Sequence, residues 1–422
     1  MKSFLFLSPH VNIIDGEREF CVFNLENGNF FLVNKDAALL LQYFKDGNTL
    51  NSITSEYNIN EKELTPFVDE CINNQILLKE KIKKITNTDT QPGAFSLTLE
   101  VTNKCNLRCK HCYNNSGLKN NNETLQFATI KSIIDDIKCL YSNLGQLIIT
   151  GGEPFLYKDI DKIILYSFNN GFNKIRINTN GTVFPENDTL LLSILQKYQD
   201  EISIQVSLLG ATKETNDYLT SVNGSFEQTI KNLVTFKQIL PDVSISFLIS
   251  KLSIIEKDKA NVISSDFEIP IVFNDNLLLV GRALDNKEQI YISPPKNNSL
   301  TCDGNYGNIN YGKLKEEQYF EALSKFPPKL PCGYETISVS CNGDVLPCTL
   351  LQEIIVGNIY NNNISEIIKS NRMKKFQEEI DIDNRKICKS CEIRYFCSYK
   401  CPALTLGHGL NLGVKNPQCN YY

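Results

Sequence analysis

From residue 94 to about 290 the chain repeats one pattern, and that pattern limits its fold more than any other feature. Apolar runs of strand length at 95–101, 146–150, 174–178, 202–208, 243–249 and 269–273 alternate with helical periodicity, as at 125–140, 160–168 and 226–239. Six such units with short connections argue for α/β class and a parallel sheet, closed or partly closed into a barrel. In such folds the reactive groups gather on loops at the C-terminal ends of the strands. The informative residues fall there: a cysteine loop after strand one, Gly151-Gly152-Glu153-Pro154 after strand two, Thr179-Asn180-Gly181 after strand three, and Ser207 at the end of strand four.

The cysteine loop is Cys105-Asn-Leu-Arg-Cys109-Lys-His-Cys112. Three cysteines at spacing C-x3-C-x2-C on a loop leaving a strand can converge on one point. Three thiolates leave one iron of a cubane [4Fe–4S] cluster without a protein ligand, which suits binding of a substrate or cosubstrate. A zinc site or three unrelated thiols are the alternatives. Zinc would normally want a fourth protein ligand, and His111 lies on the wrong side of Cys112 for knuckle spacing.

Residues 1–85 read as a separate small domain. Two short apolar runs, 20–25 and 29–33, flank Asn27-Gly28, the strongest short hairpin signal. Helical patterns follow at 35–44, 50–57 and 61–74, and 76–78 reads as a closing strand. Hairpin, three helices and closing strand make a winged-helix-like unit. Net charge −5 and the lack of a basic stripe on the last helix count against nucleic acid as its partner. Residues 80–93 are polar, end in Pro-Gly and read as a linker.

The N-terminal apolar run is too short for a signal peptide and no later run reaches membrane length, so a cytoplasmic protein with no membrane partner is expected. In a reducing compartment clustered cysteines bind metal more often than they pair. Of 15 cysteines, Cys21, Cys71 and Cys139 are scattered and read as small buried apolar residues. Nine fall between Cys302 and Cys419, in a 300–422 segment of short apolar stretches that needs cross-links, which metal clusters would supply.

Cys105, Cys109 and Cys112, followed by aromatic Tyr113, together with the Gly-Gly-Glu-Pro loop, resemble the radical S-adenosylmethionine (SAM) enzymes. The resemblance implies a partial (β/α)6 TIM-like barrel over 94–290. Its three cysteines would hold a [4Fe–4S] cluster whose fourth iron is chelated by the amino and carboxylate groups of SAM. Gly151 and Gly152 would let backbone approach the cosubstrate closely, and Glu153 would accept a charge-assisted bond from its ammonium group. By the same resemblance Ser207 and Asn180 would contact the ribose, backbone near Tyr113 the adenine, and Arg282 of Gly281-Arg282-Ala283 the SAM carboxylate or the cluster. As bland alternatives, Gly-Gly makes only a tight turn and Ser207 only caps a helix. The sequence departs from many relatives in having Ser207-Leu-Leu-Gly210 without an Asp and no arginine before Gly224-Ser-Phe-Glu227. The partner of the SAM carboxylate is therefore left open.

The C-terminal cysteines resemble the SPASM domain, which binds auxiliary clusters. Cys332-x10-Gly343-x4-Cys348, then Cys388-x2-Cys391-x5-Cys397-x3-Cys401, then Cys419 match all seven of its cysteines. The resemblance implies two auxiliary iron–sulfur clusters. Cys388, Cys391, Cys397 and Cys419 would hold one; Cys332, Cys348 and Cys401 the other, with Cys302 preferred to Cys341 as a fourth ligand. Residues 1–85 resemble the PqqD-like peptide-recognition domain, which binds a precursor's leader by adding it as a strand to a sheet edge.

Together these imply a maturase of a ribosomally synthesised, Cys-containing precursor peptide, forming a Cys thioether by hydrogen abstraction, with a flavodoxin or ferredoxin-type electron donor. Carbon–carbon cross-linking, epimerisation or side-chain oxidation, and a non-catalytic iron–sulfur scaffold, are the rival readings.

Overall fold

The computed structural model describes residues 3–24, 27, 30–82, 94–117, 123–274, 277–292, 330–395, 401–407, 409–414 and 419. Cys302, Cys397 and most of the expected linker lie outside the described residues.

The N-terminal unit carries three strands not expected from the sequence, β1 (Phe4–Leu7), β2 (Val11–Asp15) and the two-residue β5 (Asn48–Thr49). The expected hairpin is β3 (Phe20–Asn24) with β4 (Phe30–Val33); β2 adds to its other side, giving a three-stranded antiparallel sheet of order β2-β3-β4. Helices α1 (Lys35–Tyr43), α2 (Leu50–Tyr57) and α3 (Glu61–Asn73) follow. Each starts on a side chain that accepts from its first turn: Asn34, Thr49 and Asn60. The closing strand β6 (Leu77–Leu78) pairs with β1, and β1 also pairs with β5 (Asn48–Thr49), so a second small sheet replaces the expected simple closure of the hairpin. Leu5, Leu41, Phe44, Leu50, Ile53, Val68 and Leu77 bury the unit's own core.

The second unit holds six parallel strands in consecutive order: β7 (Phe95–Thr102), β8 (Leu144–Gly151), β9 (Phe172–Thr179), β10 (Ile202–Leu208), β11 (Val243–Leu248) and β12 (Ile271–Asn274). Their helices are α4 (Phe127–Leu140), α5 (Ile160–Asn169), α6 (Thr189–Lys197), α7 (Lys213–Thr220), α8 (Ser225–Ile239) and α9 (Lys257–Asp266). Helix α4 buries Ile130, Ile133, Ile134 and Ile137, the spacing of one helical face.

Among the described residues the sheet does not close. Three further strands, β13 (Thr336–Val339), β14 (Asp344–Leu346) and β15 (Gly357–Asn358), extend it beyond β7, which leaves β12 and β15 at the edges. The C-terminal cysteine-rich stretch is thus built onto the first strand of the parallel unit, β13 running parallel to β7.

The strands alternate, which is unusual for a parallel sheet with both faces covered. In β10, Ile202, Ile204, Val206 and Leu208 are buried, whereas Ser203, Gln205 and Ser207 between them are more open. Neighbouring Asn178 and Ser246 stand in register with Gln205 and Ser207. One face packs on helices; the other is a polar floor.

The N-terminal sheet also touches the chain's other end. Glu17 N donates to Ser390 O (2.7 Å), Arg394 Nη1 donates to Asp15 O (3.0 Å), and Ser390 Oγ donates to Glu17 Oε2 (3.2 Å). A Cβ on Gly16 would lie 2.4 Å from the Cβ of Glu392.

Candidate functional site

The loops at the C-terminal ends of β7–β10 enclose a cavity of about 320 Å³. Cys105, Cys109 and Cys112 all line it, as do Gly151, Gly152, Tyr113, Asn180, Ser207 and Arg282. Of the expected site residues of the parallel unit, only Glu153 stands behind the wall.

The cysteine loop is held from three directions, mostly through its backbone. Arg108 N and Lys110 N donate to the carbonyls of Thr220 and Leu219 at the end of α7 (3.0 and 2.8 Å). Glu153 N donates to Lys104 O (2.8 Å), and Gly152 N to Thr102 O (2.7 Å). On the far side Arg282 N donates to Cys112 O (3.0 Å), while its guanidinium donates from Nε to Cys109 O and from Nη1 to Ser116 O, both 2.8 Å. Backbone groups of Arg108, Cys109, Lys110 and Cys112 are thus tied to α7 and to the 282–286 segment, which holds the loop in one conformation.

The glycines have a reason in the fold itself. Gly151 has φ +130°, and a Cβ there would lie 2.4 Å from Thr102 O; one on Gly152 would lie 2.2 Å from Lys104 O. The close approach that excludes a side chain is made by the protein's own backbone under the cysteine loop. Gly281, at φ +54°, meets Tyr113 O in the same way.

Glu153 is fully buried. Its Oε1 accepts from Thr179 Oγ1 (2.8 Å) and Phe155 N (3.1 Å), and Oε2 from Asn180 N (2.9 Å). Burial pushes its carboxyl up to about 7, against the pull of these donors. Asn180, so placed, donates from Nδ2 to Asn106 Oδ1 (3.0 Å) and reaches Cys105 Sγ at 3.7 Å.

The donor set fits a cluster. Burial pushes the Cys105 thiol up to about 11 and raises Cys109 further, so bound metal would displace their protons. Among the described residues no three thiols, imidazoles or carboxylates converge as the donor set of a single ion. A cubane does not ask for that, since each thiolate bonds a different iron. The cavity also has unsatisfied polar groups: the buried Asn178 Oδ1 and His111 Nδ1 have no hydrogen-bond partner. Motif spacing did not single out Asn178; the alternation of polar residues along β9 and β10 is the signal that would have.

In the C-terminal stretch the thiols of Cys332 and Cys348 hydrogen-bond each other, which raises the first and lowers the second, and Cys401 lies close enough to raise Cys332 further. Cys341 is elsewhere: its thiol faces Glu123 Oε2 at 3.9 Å and lines a second, polar cavity of about 210 Å³. Cys388 and Cys391 share one turn. Of the scattered cysteines Cys21 and Cys71 are buried as expected; Cys139 is exposed, on the outer face of α4.

Residues 99–252 match the radical SAM superfamily and residues 331–392 an iron–sulfur cluster-binding domain, SPASM. The chain therefore carries a radical SAM domain and a SPASM domain, whose cofactors are [4Fe–4S] clusters and SAM. It is 26% identical over 293 residues to the antilisterial bacteriocin subtilosin biosynthesis protein AlbA of Bacillus subtilis, a match covering 66% of this chain and 60% of that protein. It is 24% identical over 372 residues to the AdoMet-dependent heme synthase of Nitratidesulfovibrio vulgaris, covering 80% of this chain and 95% of that one. Its fold is that of Streptococcus suis SuiB, solved with S-adenosylmethionine (TM-score 0.54) and with the precursor peptide SuiA (TM-score 0.55). Both superpositions are 14% identical in sequence and cover at least 98% of this chain and 100% of that one. No described helix is long and apolar enough to cross a membrane.

Proposed function

We propose that this protein is a cytoplasmic radical SAM maturase that modifies a ribosomally synthesised precursor peptide, the bond formed being a thioether from a cysteine sulfur. The observation that carries the reading is the meeting, in one cavity of about 320 Å³, of three thiols, a Gly-Gly turn and a polar sheet face. SAM held at the cluster supplies a 5′-deoxyadenosyl radical for hydrogen abstraction, and the auxiliary clusters supply an acceptor for the electron that bond formation releases.

Within that reading Cys105, Cys109 and Cys112 hold the SAM-binding cluster. Gly152 and the backbone at Tyr113 flank the cosubstrate, and Asn180 and Ser207 face its ribose. Glu153, buried behind the cavity wall, acts on the cosubstrate by fixing Thr179 and Asn180. Arg282 holds the cysteine loop through carbonyls and keeps its charge near the cosubstrate's carboxylate. Cys388, Cys391, Cys397 and Cys419 hold one auxiliary cluster, and Cys332, Cys348 and Cys401 the other. The turn of Cys341 toward Glu123 supports Cys302 as the remaining ligand. Residues 1–85 receive the leader, on an open edge of the β2-β3-β4 sheet, as a PqqD-like domain; 94–290 form the radical SAM unit and 300–422 the auxiliary unit. Docked there, the leader raises the effective concentration of the core peptide at the cavity. A flavodoxin or ferredoxin-type protein supplies the reducing electron.

The heme synthase likeness favours a second reading, in which the cavity takes a tetrapyrrole. One experiment separates them: anaerobic reconstitution, then SAM, dithionite and a small Cys-containing peptide encoded beside this chain. 5′-Deoxyadenosine together with a peptide lighter by two hydrogens supports the maturase. Nucleoside formed only with a porphyrin, the peptide unchanged, overturns it.

A further inference from the structure

Glu100, on the inner face of β7, is fully buried, and none of the assigned roles uses it. Four neutral donors converge on its carboxylate. Tyr113 Oη (3.1 Å), Thr349 Oγ1 (3.0 Å) and Gln352 Nε2 (3.3 Å) reach Oε1, and Asn114 Nδ2 (3.0 Å) reaches Oε2. Two of the four follow the third cysteine of the SAM-binding loop directly. The other two follow Cys348, about 250 residues away in sequence.

The partners also divide in space. Tyr113 and Thr349 line the main cavity, whereas Asn114 and Gln352 line the second, polar one. Glu100 is thus the core of the wall between the two. Neither loop belongs to the sheet: the β7–β13 ladder runs from Thr336 to Val339, and the auxiliary segment leaves β14 at Leu346 before it reaches Thr349. A buried carboxylate with several donors is a stiff junction, because any donor that drifts away leaves charge uncompensated.

We propose that Glu100 is a positioning residue that locks the Cys105–Cys112 loop to the Cys348 segment and so sets the separation of the SAM-binding cluster from the auxiliary cluster of Cys332, Cys348 and Cys401. This rests on the reading that Cys105, Cys109 and Cys112 hold one cluster and that Cys332, Cys348 and Cys401 hold another. A fixed separation matters because a substrate held between two reacting centres loses rate steeply when one of them shifts.

The test uses the full chain, reconstituted anaerobically, as the parent and as Glu100→Ala, Glu100→Gln and Thr349→Val. Iron and sulfide are quantified, the inter-cluster distance distribution is measured by pulsed electron paramagnetic resonance, and 5′-deoxyadenosine is followed without peptide. The expected result is parental iron content in all variants, with a broadened distance distribution in Glu100→Ala and uncoupled SAM cleavage raised about tenfold. Thr349→Val should fall between Glu100→Ala and the parent. Glu100→Gln, which keeps the Oε1 acceptor and the shape but loses the charge and the Oε2 acceptor of Asn114, should narrow the distribution relative to Glu100→Ala without fully restoring it. A parental distribution in Glu100→Ala overturns the proposal. If that variant does not fold, Thr349→Val and Gln352→Ala decide it by the same measurement, and unchanged distances in both overturn it. A parent without two interacting clusters refutes the ligand reading before any variant is compared, and the proposal falls with it.

Discussion

The guanidinium of Arg282 donates to the carbonyl of Cys109 at 2.8 Å across 173 positions of chain. It makes its second loop contact at Ser116 O, so one side chain braces the cysteine loop at its middle and at its end. Arg282→Ala should lower the iron retained after anaerobic reconstitution by about one cluster's worth and cost on the order of 2–4 kcal/mol of stability. Arg282→Lys, with the charge but without the fork, should recover only part of the iron. Iron quantification with thermal unfolding of the apo-protein checks both.

Gly151 and Gly281 are predicted to tolerate nothing larger. Each combines a positive φ with a Cβ position 2.4 Å from a backbone oxygen, Thr102 O and Tyr113 O respectively. Alanine at either should destabilise by at least about 1–3 kcal/mol, since backbone must move to admit it. Gly171→Ala, with φ +100° but nothing within 4 Å, isolates the dihedral contribution. Comparison of the three melting temperatures separates strain from collision.

Glu153 makes stability depend on pH in a definite direction. Its carboxyl, ordinarily near 4.5, is held up to about 7 in the folded protein. Between those values the folded state keeps a proton that the unfolded state has released. Its contribution is therefore fully present below about pH 4.5 and is lost as pH rises through 7, by on the order of 3 kcal/mol. Glu153→Gln should flatten that part of the stability–pH curve. Denaturant unfolding at pH 5 and pH 8, in parent and variant, measures it; an unchanged difference between the two pH values would sink the idea.

Cys341 and Cys348 are seven positions apart, yet they should behave differently. Cys348 is hydrogen-bonded to Cys332, whereas Cys341 faces Glu123. Under the proposed ligand set, Cys348→Ser loses about one auxiliary cluster of iron and Cys341→Ser keeps the parental content. Equal losses would place Cys341 among the ligands.

How far the chain could be read in advance follows from local period. The expected 202–208 strand is Ile202–Leu208, and the expected 50–57 helix is Leu50–Tyr57, because alternation or a one-sided apolar face runs through each. Strands β13–β15 are two to four residues long and carry no period, so the segment read as irregular. Strand β2 escaped because Val11–Asp15 has too few alternating positions to stand out. At the site, spacing identified the cysteines and glycines that share the cavity. It gave no warning that the Gly-Gly turn accommodates the protein's own backbone, nor that Glu100 gathers residues from both loops. Those are products of long-range packing, and nothing near Glu100 in sequence encodes Gln352.

The contacts of Asp15, Gly16 and Glu17 with Ser390, Glu392 and Arg394 bear on how such proteins can be recombined. Under the proposed leader-binding role of residues 1–85, a chimaera that takes them from a relative to accept a different leader would place a foreign turn against the loop that carries Cys388 and Cys391. Gly16 leaves no room for a side chain there, and Arg394 needs the turn to keep the position-15 carbonyl within its reach. The exchangeable piece is therefore discontinuous: a specificity swap has to carry both the head of the chain and the turn near its tail.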